Sequence, residues 1–95
     1  MPPRGTEGRP LSAAATISVI LITRDEAQRI ERCLLSVDFA DEVVVVDSGS
    51  TDRTVELARA AGARVLVRAD WPGFGIQKNR ALDLATGEWV FSIDA

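Results

Sequence analysis

Val43-Val44-Val45-Val46-Asp47-Ser48-Gly49-Ser50-Thr51-Asp52 decides the fold. Four consecutive β-branched residues make a strand that is apolar on both faces, and such a strand belongs in a parallel sheet covered on both sides. Ser50, Thr51 and Asp52 are all competent helix N-caps, and Val55, Ala58 and Ala61 then recur on one helical face until Gly62 stops the helix. Upstream, Ile17 to Ile22 is a second β-branched run, followed by a helix over Glu26 to Val37 with Ile30, Leu34 and Val37 at helical spacing. Downstream, Val65 to Val67 is a third strand and Ala69 to Gly75 a Pro- and Gly-bearing loop. A helix from about Ile76 to Thr86, stopped by Gly87, then leads into a fourth strand, Trp89 to Ile93. The order β-α-β-α-β-loop-α-β predicts an α/β fold, an open parallel sheet with helices on both faces and right-handed crossovers, with no repeat and no second domain.

Composition narrows the function. The 95 residues are 46% hydrophobic and 26% charged, the balance of a globular domain. A formal net charge of −3 and the lack of any Lys/Arg block argue against a nucleic-acid partner. One cysteine, Cys33, rules out an internal disulfide, and the absence of histidine removes the common zinc sites. Cys33 is expected to pack as a small buried hydrophobe. No apolar run reaches the roughly 20 residues of a membrane span. Residues 1–16 carry Pro2, Pro3, Gly5, Gly8 and Pro10 without the continuous apolar stretch of a secretory signal, so a disordered leader ahead of a domain over 17–95 is expected, in the cytoplasm.

Ligands of open parallel sheets bind outside the carboxyl ends of the strands. There the first strand runs into Thr23-Arg24-Asp25-Glu26, the second into Asp47 to Asp52, and the fourth ends on Asp94. Taken singly, Asp25 and Asp52 could cap helices and Asp47 could be a turn residue; their convergence at one edge points to a ligand. No G-x-G-x-x-G follows the first strand and no G-x-x-x-x-G-K-[ST] occurs, which excludes the usual dinucleotide site and the P-loop. Acid-rich strand ends suit base or ribose recognition, with Mg2+ or Mn2+ handling a diphosphate.

These residues also carry a family resemblance. Val44 to Asp52 resembles the V-V-D-[DS]-G-S-T-D signature of family 2 glycosyltransferases, and Ile22-Thr23-Arg24-Asp25-Glu26 their T-x-N-E strand exit. Trp71-Pro72-Gly73-Phe74-Gly75-Ile76-Gln77-Lys78-Asn79-Arg80-Ala81 is similar to W-x-G-F-x-x-Q-K-N-x-A of the subgroup that builds lipopolysaccharide core, and Gly87 to Ala95 to its G-E-W-V-L-x-L-D-A-D-E. The resemblance implies the GT-A fold, with a Rossmann-like nucleotide-binding half. It also implies a nucleotide-diphospho-sugar donor such as UDP-glucose, a divalent cation, Mg2+ or Mn2+, and a glycan or lipid-linked acceptor. By position it assigns Thr23, Asp25, Glu26, Asp47, Ser48, Gly49, Asp52, Lys78 and Asn79 to the nucleotide-sugar, and Asp94 to the metal as first aspartate of a D-x-D motif. Thr23 and Glu26 would line the base pocket, Asp47 would contact uracil or ribose, Asp52 would brace its loop, and Lys78 would approach the diphosphate.

Lys78 reads equally as a solvated helix charge and Asn79 as a polar helix position, while Trp71 and Phe74 either cover the sheet edge or stack on sugar. Asp25 departs from the family's asparagine, exchanging a group that donates and accepts for an acceptor. By that resemblance the second aspartate and the general base would lie beyond Ala95, so the chain is expected to carry no catalytic residue and to be inactive alone. An uncovered apolar edge on the fourth strand, and peripheral association of the complete enzyme with the inner face of the cytoplasmic membrane, are further expectations. Two other classes fit the bare pattern: a non-catalytic magnesium- or nucleotide-binding module of flavodoxin-like architecture, and a nucleotidyltransferase, although Thr23-Arg24-Asp25-Glu26 lacks the latter's glycine-rich loop.

Overall fold

The computed structural model describes residues 16–71 and 73–94. Seven elements alternate along the chain: β1 (Ile17–Thr23), α1 (Ala27–Ser36), β2 (Glu42–Asp47), α2 (Thr54–Ala60), β3 (Arg64–Val67), α3 (Phe74–Leu84) and β4 (Trp89–Ile93). The strands form one sheet in the order β3-β2-β1-β4, with every pairing parallel. This is the predicted α/β architecture. The predicted leader falls on residues 1–15, outside the described residues, whereas Thr16 is described and accepts the Trp89 N–H through its carbonyl at 3.0 Å.

Successive side chains of a strand point to opposite faces, so each buried strand feeds two cores. Val19 and Leu21 of β1 and Val45 of β2 face one side, where Ile30, Leu34 and Val37 from the α1 segment and Ala58 of α2 cover them. Ile20, Val44 and Val46 face the other side, against Ala81 of α3. The chain steps from β1 to β2 to β3 in one direction, then returns past both to place β4 beside β1. A right-handed crossover made in the reverse direction must put its helix on the opposite face. This is why α3 packs on β1 and β2 from the side away from α1 and α2.

The strand and α1 bounds agree with the sequence expectation to within one residue, and the larger shift is at α3. Helix α3 begins at Phe74 and ends at Leu84, two residues earlier at each end than the turn-forming glycines suggested. Gly75 sits inside its first turn, and Gly73, at φ 116°, is the residue that changes chain direction. On α2 the buried positions are Thr54 and Ala58, while Ala61 is exposed beyond the helix end.

The amino ends of the strands are tied by Glu42. Its Oε1 accepts from Ser18 Oγ (2.7 Å), the Thr86 N–H (2.8 Å) and Thr86 Oγ1 (3.2 Å), while Oε2 lies 3.6 Å from Arg64. Those donors hold its carboxyl below the ordinary glutamate range, the Thr86 N–H most and the Ser18 hydroxyl next. Gly87 closes the same corner: a Cβ there would lie 2.6 Å from Ser18 Oγ, so no larger residue fits without displacing β1.

Candidate functional site

At the opposite edge, where the strands end, the β1 and β2 exits are joined side by side. Thr23 Oγ1 donates to Asp47 Oδ1 at 2.7 Å and the Ser48 N–H donates to the Thr23 carbonyl at 2.8 Å. Asp47 is fully buried, and its other acceptor sites are taken by its own turn: the N–H groups of Gly49 (3.0 Å) and Ser50 (2.7 Å) on Oδ2, and Ser50 Oγ (2.5 Å) on Oδ1. A buried carboxylate needs this many donors to remain in place. Gly49 makes the turn at φ 97°, and a Cβ on it would come within 3.1 Å of Ala69 Cβ.

Asp25 performs the second half of the join. Its backbone sits at φ 52°, a left-handed conformation that aspartate and asparagine tolerate better than most residues. In that pose Oδ1 accepts the N–H groups of Thr51 (2.7 Å) and Asp52 (3.3 Å) and the Thr51 hydroxyl (3.2 Å). All three contacts need only an acceptor, so aspartate serves them as asparagine would. Asp52 then links two helix starts, with Oδ2 accepting from Ala27 N at 3.1 Å and Oδ1 from the Thr54 N–H at 2.9 Å and the Thr54 hydroxyl. These donors, the Thr54 hydroxyl first, lower the Asp52 pKa. Thr54 Oγ1 in turn accepts the Glu26 N–H at 2.8 Å.

The joined loops form one wall of a cleft of about 350 Å³ lined by Ile22, Thr23, Arg24, Glu26, Ser48, Trp71 and Phe74. Trp71 and Phe74, each about half exposed, stand opposite the polar groups. Lys78 lies one turn along α3 with Nζ 5.4 Å from the centre of the Phe74 ring, a cation–π contact that holds the charge next to the cleft. Glu26 carries an exposed ion pair with Arg29 at 3.2 Å, which adds little stability.

The structure brings together most of the residues expected from the sequence and separates a few. Thr23, Glu26 and Ser48 line the cleft, and Asp25, Gly49 and Asp52 build its loops. Asp47, expected to contact uracil or ribose, is buried, with Oδ2 accepting from the Gly49 and Ser50 N–H groups and Oδ1 from the Thr23 and Ser50 hydroxyls. Asn79 is exposed on α3 outside the cleft lining. Asp94 is exposed at the end of β4 and borders a different groove of about 520 Å³, with Gln28, Arg29, Arg32, Cys33, Ser36, Val37 and Ile93. Cys33 is half-buried rather than enclosed, its thiol 3.8 Å from the Asp94 carbonyl and its pKa raised, first by burial, then by Glu26 and Asp94. A raised thiol is the opposite of a reactive one.

Two residues were missed. Arg24 lines the cleft, where a cation faces any anionic ligand. Gln77 is fully buried beneath it, with Nε2 donating to Ser48 Oγ at 3.0 Å. Spacing held a partial signal for Gln77, since it stands four residues before Ala81, the other buried position of α3.

The cleft walled by Trp71 and Phe74, with Glu26 and Arg24 among its lining, lies at the carboxyl ends of parallel strands, the edge at which open α/β sheets bind their ligands. The profile of glycosyl transferase family 2 matches residues 18–95, and the chain belongs to that family. It is 49% identical over 80 residues to an uncharacterized glycosyltransferase of Rickettsia bellii, covering 83% of this chain and 27% of that protein. A TPR repeat-containing protein of Synechococcus elongatus is 45% identical over 86 residues, covering 88% of this chain and 21% of its own length. Among solved structures, glucosyl-3-phosphoglycerate synthase from Mycobacterium tuberculosis, in complex with Mn2+, UDP and glucosyl-3-phosphoglycerate, superposes with a TM-score of 0.73 at 40% identity, covering 87% of this chain and 34% of that one. The same synthase with UDP alone gives a TM-score of 0.74 at 39% identity, covering 97% of this chain and 38% of that one. The chain thus spans between a fifth and two-fifths of the proteins it matches.

Proposed function

We propose that this chain is the donor-nucleotide part of a glycosyltransferase that moves glucose from UDP-glucose to a glycan acceptor of the lipopolysaccharide-core class. The observation that carries the donor reading is the cleft itself. The half-buried Glu26 carboxylate suits the N–H and hydroxyl groups of uridine, and Thr23 and Ser48 line the cleft beside it with hydroxyls tied to Asp47 and Gln77. Trp71 and Phe74 supply apolar faces, and Arg24 and Lys78 place positive charge beside them. Positive groups held at a diphosphate stabilise the charge that develops as the sugar departs.

A divalent cation belongs to the same proposal. Mg2+ is commonly held by one or two carboxylates together with substrate phosphates. Asp94, exposed at the end of β4, is the carboxylate that the D-x-D resemblance assigns to the cation, and the described residues contain no group of three ligand-type side chains that would hold a metal unaided. Asp94, which borders a groove other than the cleft, would hold a cation only together with further ligands such as the diphosphate oxygens. Bound there, a cation would neutralise charge on the leaving diphosphate.

The acceptor reading rests on the Trp71 to Ala81 segment, and the phosphoglyceric acid in another complex of the mycobacterial synthase favours a second reading, a small phosphorylated acid. Family membership weighs against the flavodoxin-like and nucleotidyltransferase alternatives. Titration calorimetry of the chain with UDP, UDP-glucose and NAD, with and without Mn2+, tests the donor reading. Tighter binding of UDP than of NAD, strengthened by Mn2+, is expected; equal affinity for all three would sink it. In a complete enzyme containing this chain, radiolabel from UDP-glucose recovered in lipopolysaccharide rather than in phosphoglycerate would distinguish the two acceptors.

A further inference from the structure

Gln77 is fully buried, yet its amide has three fixed partners. Nε2 donates to Ser48 Oγ and to the Arg68 carbonyl, each at 3.0 Å, and Oε1 accepts from Arg80 Nη1 at 2.8 Å. This orientation has no alternative. Turning the amide over would set its oxygen against a carbonyl, which only accepts, and its nitrogen against a guanidinium, which only donates. Arg80 also closes a two-pronged pair on Asp70, Nη1 to Oδ1 at 2.9 Å and Nη2 to Oδ2 at 3.0 Å. Asp70 immediately precedes Trp71, and Ser48 joins Thr23 through its N–H at 2.8 Å.

We infer that Gln77 is a positioning residue which sets the separation of the cleft's aromatic wall, Trp71 and Phe74, from its polar wall, Thr23, Glu26 and Ser48, through the hydrogen-bonded series Asp70–Arg80–Gln77–Ser48. Filling space is not a sufficient account of it. An apolar side chain would occupy the volume without the cost of enclosing an amide, whereas glutamine there ties the loop after β3 to the loop after β2. The consequence for a nucleotide rests on the proposed function; the placement of Trp71 does not.

The test uses the chain with Trp89→Phe, so that 5-fluorotryptophan labels Trp71 alone, and follows its 19F resonance. Gln77→Glu keeps the shape and an acceptor for Arg80 but removes both donations. Asp70→Ala cuts the series at an exposed end, where loss of the fold is not a concern. Val55→Ala, on the far side of the sheet, is the control for general destabilisation. In both Gln77→Glu and Asp70→Ala the Trp71 resonance is expected to move toward its unfolded-chain position, and affinity for UDP with Mn2+ to fall about tenfold, equivalent to about 1.4 kcal/mol. The control should leave both readings unchanged. A Trp71 resonance that stays in place in Asp70→Ala, or that moves equally in Val55→Ala, overturns the inference. So does UDP affinity that is unchanged in a variant whose Trp71 has moved. If Gln77→Glu does not fold, Asp70→Ala decides. If the unsubstituted chain binds no UDP, the donor reading fails while the fluorine resonance still decides the placement of Trp71.

Discussion

Asp25 shows how a motif residue can serve the protein before it serves a ligand. Its Oδ1 gathers the Thr51 and Asp52 N–H groups, and its left-handed backbone sets the angle at which β1 leaves the sheet. Because Oδ2 takes part in none of those contacts, Asp25→Asn should leave stability within about 0.5 kcal/mol of the parent, the range of a neutral surface change. Asp25→Ala loses the acceptor, and alanine tolerates the left-handed conformation less well than aspartate, so it should cost about 1–3 kcal/mol in urea denaturation. Equal effects from the two substitutions would mean that the side-chain oxygen is not what holds the loops. Asp47 sits deeper and follows the same logic. The sequence places it at a strand end, where ligands bind, but whether its oxygens face outward depends on donors contributed by Thr23, Gly49 and Ser50. Strand position is legible in sequence; the direction and occupancy of a carboxylate are not.

Among the elements, the alternation of strand and helix could be read from periodicity because continuous Val and Ile runs have few other uses in a soluble chain. Helix α3 was harder to read. Its buried positions are a glutamine and an alanine, with Phe74, Ile76 and Leu82 exposed, so no apolar stripe marks its start. The corner where α3 meets β4 depends on Glu42, which also spans β1 to β3. A carboxyl whose pKa is lowered on folding stabilises fully above its unfolded value, near 4.3 for glutamate, and that contribution is lost as pH falls through the lower folded value. Glu42→Gln should therefore lower Tm at pH 7 and leave the parent and variant closer together at pH 3, read by thermal melts across that range. A Tm difference that does not shrink on acidification would show that the charge of Glu42 contributes nothing.

At the scale of the whole molecule, the sheet is unevenly covered. β1 and β2 are enclosed between helices, while β4 lies at an edge with Trp89, Val90 and Phe91 exposed and no charge or proline among its residues. Such an edge offers backbone donors and acceptors to any other strand. Sedimentation velocity should show association of the chain that rises with concentration, and Phe91→Lys should reduce it; a monomer at every concentration would mean that the edge is protected. No described helix is long and apolar enough to cross a membrane. What the sequence by itself determined was the order of elements, the parallel sheet and the family, because these rest on local periodicity and on contiguous motifs. Only the tertiary structure decided which motif residues line the cleft and which are consumed in holding it. Asp25, Asp47 and Asp52 meet their donors across gaps of up to 27 residues, and Gln77 reaches Ser48 across 29. Partners that far apart along the chain are paired by the packing of β1, β2 and α3, and nothing in the intervening residues records the pairing.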